Sequence, residues 1–175
     1  LAAERASEVR DLAALNRHII QQMEVGAVVV DNRRHVQLIN DAAIRLLELE
    51  ELVLHVPGAD QMTAIKGVSA LTVAGFFAEV GDLANYRDPR QIIKLAGLNL
   101  KVNQSGKFKG QTTITKRGRK RLRSLLFQVA RPLALHNEAF RKLHEHYRHR
   151  PANPLTGKQS FVALSRKLVK IFHEL

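Results

Sequence analysis

The sequence predicts a mainly α-helical protein built from two segments, and three observations support this prediction. Apolar residues recur every three or four positions over most of the 175 residues. Short runs typical of β-strands are confined to residues 26–40, and residues 98–115 show no helical period. The net charge is −1 through residue 49 and +13 from residue 50 onward. We therefore expect two domains, covering residues 1–49 and 50–175.

The first segment is predicted to run helix, strand, strand, helix. Its first helix covers about residues 4–24, where five apolar residues recur at helical spacing: Val9, Leu12, Leu15, Ile19 and Met23. The runs GAVVVD (26–31) and HVQLIN (35–40) are typical of a β-hairpin. Asn40 and Asp41 can cap the helix AAIRLLELEEL that follows.

The second segment is predicted to begin with a turn at Pro57-Gly58 and a short helix. The stretch IKGVSALTVAGFFAEVGD, residues 65–82, indicates a helix, a tight turn and a second helix, with Gly67 breaking the pattern and Gly81 ending it. This is a helix-hairpin-helix pattern. Asp88 and Pro89 can begin the next helix, PRQIIKLAG.

Residues 98–115 are rich in Gly, Thr, Asn and Gln, which favours an irregular basic loop or a small hairpin. A long helix follows from about Arg119, with Lys120, Arg121 and Arg123 directed outward and a kink or interruption at Pro132. The apolar residues predicted to face its core are Leu122, Leu125, Leu126 and Val129. Two more helices complete the chain: EAFRKLHEHYRH, capped by Asn137, and SFVALSRKLVKIFHEL.

The composition excludes several classes of protein. No cysteine occurs, so disulfides, thiolate nucleophiles and cysteine metal sites are ruled out. No apolar run approaches the ~18–20 residues that a bilayer span needs, and the first residues carry acids where a secretory signal would be apolar. We expect a soluble, cytoplasmic protein with no membrane partner. Because the chain begins at Leu1, we expect a fragment of a longer one.

The basic charge is concentrated in one part of the second segment. No acid lies between Asp88 and Glu138, whereas twelve basic residues do, and nine of these fall between Lys101 and Arg123. A field of one sign attracts polyanions, of which nucleic acid is the commonest. The alternative is a solvated basic face on a protein with another function.

The turn at Lys66, Gly67 and Ser69 is the first candidate site. A helix-hairpin-helix unit presents turn amides and a helix N-terminus to a backbone phosphate. Both ends of such a turn usually carry glycine, and here Ser69 stands at the second place, where it can cap the following helix. A plain pair of helices with no ligand is the alternative.

The second candidate site is NQSGKFKG, residues 103–110, with the basic run TKRGRKRLR behind it. Attack by the Ser105 hydroxyl on a phosphodiester requires a proton acceptor and positive charge at the phosphorus centre. Cations are abundant, but no general base is evident, and Ser-Gly is also a common turn dipeptide. The predicted phosphate contacts of this site are Lys107, Lys109, Lys116, Arg117, Arg119, Lys120 and Arg123.

A metal site is not predicted. His146 and His149 are neighbours on a helix, but His144 and His146 are not, so we interpret the three as a solvated helix face. A two-metal nuclease needs several converging carboxylates. The basic segment offers only scattered acids, such as Asp60 and Glu79.

Two families resemble parts of this chain. The order of elements in residues 1–49, with GAVVVD, VQLIN and the following AA and LL pairs, resembles the start of a PAS sensor domain of the kind that precedes bacterial histidine kinases. The resemblance stops there, which predicts a truncated piece. Residues 50–175 resemble the C-terminal domain of the IS-one-ten family of insertion-sequence transposases. That match rests on IKGVSALTVAGFFAEVGDL, IIKLAGLNL, QSGKFKGQTTITKRGRKRLRSLLF and NPLTGKQSFVALSRKLVKIF.

The second resemblance implies a recombinase that exchanges DNA strands, with the serine of the SGK block, Ser105, as nucleophile. It also implies a separate RuvC-like domain whose acids bind Mg²⁺, and a structured RNA of the element that guides the choice of DNA. That domain does not precede residue 50 here, so we expect the chain to be inactive without it and to contain no cofactor of its own.

Three functions therefore remain open from the sequence. The first is the DNA-binding, serine-bearing domain of a transposase. The second is a nucleic-acid-binding module without enzymatic activity. The third is a PAS-type sensing or dimerising fragment, in which the N-terminal helix pairs with a copy of itself to form a homo-oligomer.

Overall fold

The computed structural model describes the backbone of residues 2–32, 35–101, 104–105, 108–109 and 112–175, and the side chains of residues 12–32, 35–101 and 112–175. These residues form eight α-helices and three two-stranded antiparallel sheets, so the predicted mainly α fold is confirmed. No helix among them is long and apolar enough to cross a bilayer. The helices are α1 Ala2–Gln22, α2 Asp41–Leu54, α3 Ala59–Thr63, α4 Ala70–Val80, α5 Pro89–Leu95, α6 Lys120–His136, α7 Glu138–His149 and α8 Gly157–Glu174.

The strands are short and pair only with their neighbours. They are β1 Val28–Val30, β2 Val36–Ile39, β3 Leu100–Lys101, β4 Gln104–Ser105, β5 Phe108–Lys109 and β6 Thr113–Ile114. The pairs are β1 with β2, β3 with β6, and β4 with β5. Contacts within the chain divide it into two units, Leu1–Leu52 and Val53–Leu175.

Asn40 is fully buried and joins three parts of the first unit. Its side-chain oxygen accepts hydrogen bonds from the amides of Ala27, at 2.8 Å, and Ala43, at 3.0 Å. Its side-chain nitrogen donates to the carbonyl oxygens of Ile20, at 3.0 Å, and Val25, at 2.9 Å. Because the Ala43 amide lies in the first turn of α2, the predicted cap is confirmed. The same side chain also donates hydrogen bonds to carbonyl oxygens at the end of α1. A buried side-chain amide needs such partners, because an unpaired buried polar group destabilises the fold.

Most apolar side chains of the first unit remain exposed. Leu12 and Ile19, from the predicted apolar stripe of α1, are 59% and 51% exposed, and Val28 and Val36 of the hairpin are exposed by similar fractions. Among the described side chains of this unit only Asn40 and Ala43 are buried. The first unit therefore has little hydrophobic core to stabilise it.

The second unit has a continuous core around α6, which packs against α4, α7 and α8. Leu122 and Leu126 are fully buried and Val129 nearly so, as the periodicity predicted. Burial of each such leucine contributes about 1.5–3 kcal/mol. An edge-to-face pair of Phe76 and Phe172, with ring centroids 5.0 Å apart, joins α4 to α8.

Four of the predicted helix boundaries are confirmed. Ser69 caps α4 by accepting a hydrogen bond from the Thr72 amide. Asp88 caps α5 with Pro89 at its first position. Asn137 caps α7. Gly81 ends α4 at a φ of 77°.

Pro132 does not end α6. The sequence predicted a kink or an interruption there, but the helix is continuous from Lys120 to His136. Proline removes the amide that would bond the carbonyl of Gln128, four residues earlier. The packing of α6 on three sides outweighs that lost hydrogen bond.

Candidate nucleic-acid interface

Ser105 lies on a small antiparallel hairpin between α5 and α6. In the outer pair of strands, Gln104 is opposite Lys109 and Ser105 is opposite Phe108. In the inner pair, Leu100 is opposite Ile114 and Lys101 is opposite Thr113. The sequence predicted either an irregular loop or a small hairpin for residues 98–115. The described strand pairs agree with the hairpin.

The pairing of Ser105 with Phe108 is the last one described at this end of the hairpin. Gly106 and Lys107, which follow Ser105 in the sequence, lie outside the described residues, as do the side chains of Ser105 and Lys109. The assignment of Ser105 as a nucleophile or as a turn residue therefore stays a prediction.

The base of the hairpin is tied to the C-terminal end of α5 by backbone hydrogen bonds. The Lys116 amide donates to the Gly97 carbonyl at 3.0 Å, and the Arg119 amide donates to the Leu95 carbonyl at 2.7 Å. Gly118, with a φ of 147°, makes this approach possible. A Cβ there would overlap the Leu95 carbonyl and lie 2.7 Å from the Gly97 amide nitrogen. The hairpin therefore starts and ends where the backbone at the C-terminal end of α5 is in close contact with the residues just before α6.

Arg123 is directed inward, and the prediction that it faces solvent is wrong. Its guanidinium donates to the carbonyl of Ala96 at 3.0 Å and to that of Lys116 at 3.3 Å. These carbonyls belong to the C-terminal end of α5 and to the exit of the hairpin. A cation there satisfies a helix-end carbonyl and interacts favourably with the helix dipole. The side chain is partly buried and clamps the hairpin base to α6.

Arg119, like Arg123, contacts a helix that lies earlier in the sequence. Its guanidinium donates to the carbonyl of Glu79, near the C-terminal end of α4, and Nη1 lies 3.9 Å from the carboxylate oxygen Oε2 of the same residue. The side chain is 53% exposed, so the ion pair itself contributes little. Arg119 thus links α6 to α4, and part of its charge remains available at the surface.

The turn between α3 and α4 differs from the predicted helix-hairpin-helix pattern. Its first helix, α3, ends at Thr63 and has five residues. Gly67 has a φ of 101°, and a Cβ there would lie 3.1 Å from backbone atoms of Leu133 and Pro132 in α6. Gly67 is therefore required for close packing against α6, and Val68 beside it is buried. Lys66 and Ser69 remain exposed.

A groove of about 460 Å³ runs between this turn and α6. Its floor is apolar, and Ser69, Thr72 and Gln128 supply polar groups along its sides. The hydroxyls of Ser69 and Thr72 are 3.0 Å apart and hydrogen bond to each other. The residues that line it are Gly67, Val68, Ser69, Leu71, Thr72, Leu125, Gln128, Val129 and Pro132.

Four of the predicted phosphate contacts are exposed at or near the N-terminal end of α6: Lys116, Arg117, Arg119 and Lys120. Lys116 has a φ of 54°, which is uncommon for a residue with a side chain. Arg121 and Arg131 are exposed further along α6, and the helix contains no acid. The helical period would have found Arg131, which lies eleven positions after Lys120 and so on the same face. This part of the surface can neutralise several phosphates.

Two carboxylates of the second unit, those of Asp82 and Asp88, already have hydrogen-bond partners. Hydrogen bonds from Arg90 lower the pKa of Asp88 to about 2, and Asp88 also caps α5. Asp82 accepts a hydrogen bond from the Ala84 amide. No group of three or more His, Asp or Glu side chains able to hold a metal ion occurs among the described residues. The described residues therefore do not fit a Mg²⁺ site.

His144 is half-buried between α7 and α8, which corrects its interpretation as part of a solvated face. Its Nδ1 is 2.8 Å from the hydroxyl of buried Ser160, and its ring stacks on Phe161 with centroids 4.9 Å apart. Burial lowers the pKa of His144, and the charge of Arg148 lowers it further. The packing thus favours the neutral imidazole.

We expect acid to weaken the second unit through His144. The pKa is lower in the folded protein than in the unfolded chain, where it is about 6.5. The stability from neutral His144 is therefore complete above pH ~6.5 and is lost as the pH falls through the folded pKa. Urea unfolding at pH 7.5 and 5.5 measures it. His144→Gln should reduce the difference, whereas His146→Gln, on an exposed histidine of the same helix, should not. An equal difference in all three proteins would contradict this assignment.

Known proteins match two parts of this chain. Residues 59–145 match the Transposase IS116/IS110/IS902 family. The chain is similar to the transposase for insertion sequence element IS1111A of Coxiella burnetii, with 36% identity over 76 residues, or 43% of this chain and 21% of that protein. It is also similar to the sensor protein kinase PilS of Pseudomonas aeruginosa, with 44% identity over 52 residues, or 30% of this chain and 10% of that protein. The chain thus spans between about a tenth and a fifth of these relatives.

Proposed function

We propose that the second unit is the DNA-binding, serine-bearing part of a transposase, because residues 59–145 match the Transposase IS116/IS110/IS902 family and the chain is similar to a transposase. One observation carries the proposal. The matched range extends from α3 into α7, so it includes Ser105 and the basic stretch on both sides of it. A match confined to the helical core would have supported only a shared fold.

Ser105 is the proposed nucleophile in strand exchange. Its hydroxyl oxygen forms a bond to the phosphorus of a DNA phosphodiester, and the bond from that phosphorus to one bridging oxygen of the sugar breaks. The hydroxyl proton passes to a base, and the departing sugar oxygen takes up a proton. A second DNA hydroxyl then attacks the same phosphorus and releases the serine.

The basic residues supply charge for this reaction. Lys116, Arg117 and Lys120 are exposed at the base of the hairpin, where they can bind the phosphates flanking the one attacked. Lys107 and Lys109 follow Ser105 in the sequence and are proposed contacts on sequence grounds. Lys66 is exposed on the turn beside the groove and is proposed as a more distant phosphate contact, next to Gly67 and Ser69.

The proposal includes a requirement for a second domain. Glu79, Asp82 and Asp88 are engaged in caps and ion pairs, and we propose that the proton acceptor and the Mg²⁺ ligands come from a second domain. A RuvC-like domain with metal-binding acids would supply both. By itself the chain should bind nucleic acid without cutting it, and a structured RNA is a proposed further partner.

The binding part of this proposal is tested with fluorescence anisotropy on the full chain. We expect labelled duplex DNA to bind in low salt, because the second unit carries a large excess of positive charge. A non-enzymatic binding module would behave in the same way, and covalent capture of DNA separates the two. Absence of binding to DNA and to RNA at 50 mM salt would contradict both.

For the first unit we propose a truncated PAS-like piece. Its order of elements is helix, two-stranded hairpin, helix, and the similarity to a sensor protein kinase supports this origin. Its exposed apolar residues are those that a longer sensor fold would cover. Pairing of α1 with a copy of itself is the proposed alternative use of the same residues.

A further inference from the structure

Phe127 is an aromatic residue at the surface of α6. It is 36% exposed, on a helix whose other large apolar side chains within the same turns are buried or half-buried. Its ring packs edge to face against Phe161 of α8, with centroids 6.1 Å apart and planes at 88°. Phe161 in turn stacks on His144. The partly exposed ring of Phe127 therefore packs against a second aromatic side chain.

Cations flank this ring along the same face of the helix. Arg131 lies four positions after Phe127, and Lys120 lies seven positions before it, so both share its face, and both are exposed. They are about 16 Å apart along the helix axis, with the ring between them. No acid occurs in α6 or anywhere between Asp88 and Glu138. The charge around Phe127 thus favours a polyanion.

An aromatic face between two cations fits an unpaired nucleotide. Every base has a flat face that can stack on an aromatic ring, and its phosphates can meet the cations on either side. In a duplex both faces of a base are already covered by its neighbours, so a paired base cannot use the ring. An acidic protein surface would engage the cations but would gain nothing specific from an aromatic face.

We propose that Phe127 is a stacking platform for one unpaired base of a nucleic acid, with Lys120 and Arg131 on the adjacent phosphates. This inference rests on the proposed function, since it concerns the same nucleic acid. The platform adds a contact for single-stranded segments on the side of α6 that packs against α8. The groove beside α4 is lined by none of these three residues.

The chain contains no tryptophan, which makes a direct test available. In Phe127→Trp the indole becomes the sole tryptophan of the protein, and base stacking should quench its fluorescence when oligo-dT or oligo-U is added to the full chain. Leu175→Trp places a sole tryptophan at an exposed apolar site at the end of α8 and is the matched control. Quenching in the first variant and none in the second supports the platform. Comparison of the two oligonucleotides shows whether DNA or RNA is preferred.

A second variant measures the contribution to affinity. Phe127→Leu keeps an apolar side chain against Phe161 but removes the flat face. Affinity for oligo-dT should fall about tenfold, which corresponds to about 1.4 kcal/mol. Affinity for a blunt duplex should change by less than about twofold. Lys120→Gln combined with Arg131→Gln should weaken binding of both, because phosphates are present in both.

The outcomes separate this inference from the function on which it depends. If the unaltered chain binds neither single strands nor duplex, the proposed function fails and the platform fails with it. If the unaltered chain binds oligo-dT while Phe127→Trp shows no quenching and Phe127→Leu retains full affinity, the platform alone is wrong. Far-ultraviolet circular dichroism checks that each variant is folded, and Phe127→Trp preserves an aromatic contact should the leucine variant unfold.

Discussion

Ser105→Ala is expected to abolish the covalent link between this chain and DNA without changing how the chain binds DNA. The reason is chemical: alanine has no oxygen with which to form a bond to phosphorus, and no other side chain of the hairpin carries a hydroxyl next to Gly106 and Lys107. The cationic residues on either side are untouched, so the affinity for DNA should stay within about twofold. A loss of capture with retained binding separates a nucleophile from a structural residue.

The capture experiment includes a second domain as the source of the proton acceptor and the Mg²⁺ ligands. A nicked duplex is incubated with the full chain, Mg²⁺ and a RuvC-like domain taken from a family relative, and the adduct is detected by its reduced mobility on a denaturing gel. Ser124→Ala is the matched control, because Ser124 is exposed on basic α6. An adduct with the unaltered chain and with Ser124→Ala, but not with Ser105→Ala, supports the proposal. An adduct that persists in Ser105→Ala, or no adduct with the unaltered chain, contradicts it.

Salt should weaken DNA binding on the order of a thousandfold between 50 mM and 200 mM. This is the loss expected when about six phosphates are neutralised, because each contact contributes about 0.9 to the slope of log affinity against log salt. The cations available on the described surface include Lys66, Lys116, Arg117 and Lys120, and Arg121 extends the set. Anisotropy titrations at four salt concentrations give the slope. A slope near zero would contradict polyanion binding by this face.

A matched pair of arginine variants shows which cations act on DNA. Arg117 is exposed, so Arg117→Gln should lower the salt slope by about 1 and leave stability unchanged. Arg123 is bonded to the carbonyls of Ala96 and Lys116. Arg123→Gln should leave those carbonyls poorly satisfied and destabilise the second unit by about 1.5–3 kcal/mol. Urea unfolding and salt titration of both variants check this division. The reverse pattern would mean that the inward contacts of Arg123 are not its main role.

The features that the sequence predicted well are those set by neighbouring residues. A cap depends on one side chain and on amides two or three positions away, so Ser69, Asp88 and Asn137 could be recognised without a fold. The same holds for the period of α6, where Leu122 and Leu126 proved to be buried. Such signals need no knowledge of which elements pack together.

The incorrect predictions concern contacts between residues far apart in the sequence. Arg123 was expected to be directed outward together with Lys120 and Arg121, but its carbonyl partner Ala96 lies 27 positions away. The contact of Arg119 with Glu79, which no prediction concerned, spans 40 positions. His144 was interpreted together with two surface histidines as part of a solvated helix face. In the structure, Ser160 and Phe161 of the next helix pack against it. A single sequence contains no signal for these partners.

By itself, the sequence determined that this protein is mainly helical, that its positive charge is gathered between Asp88 and Glu138, and that its second part resembles a transposase. These properties follow from composition, periodicity and the order of residues, all of which are local or additive. Only the tertiary structure decided that Gly67 faces α6, that Arg123 clamps the hairpin base, and that Phe127 stands exposed between two cations. The direction of a side chain depends on which elements pack against it, and that packing joins residues that the chain keeps far apart.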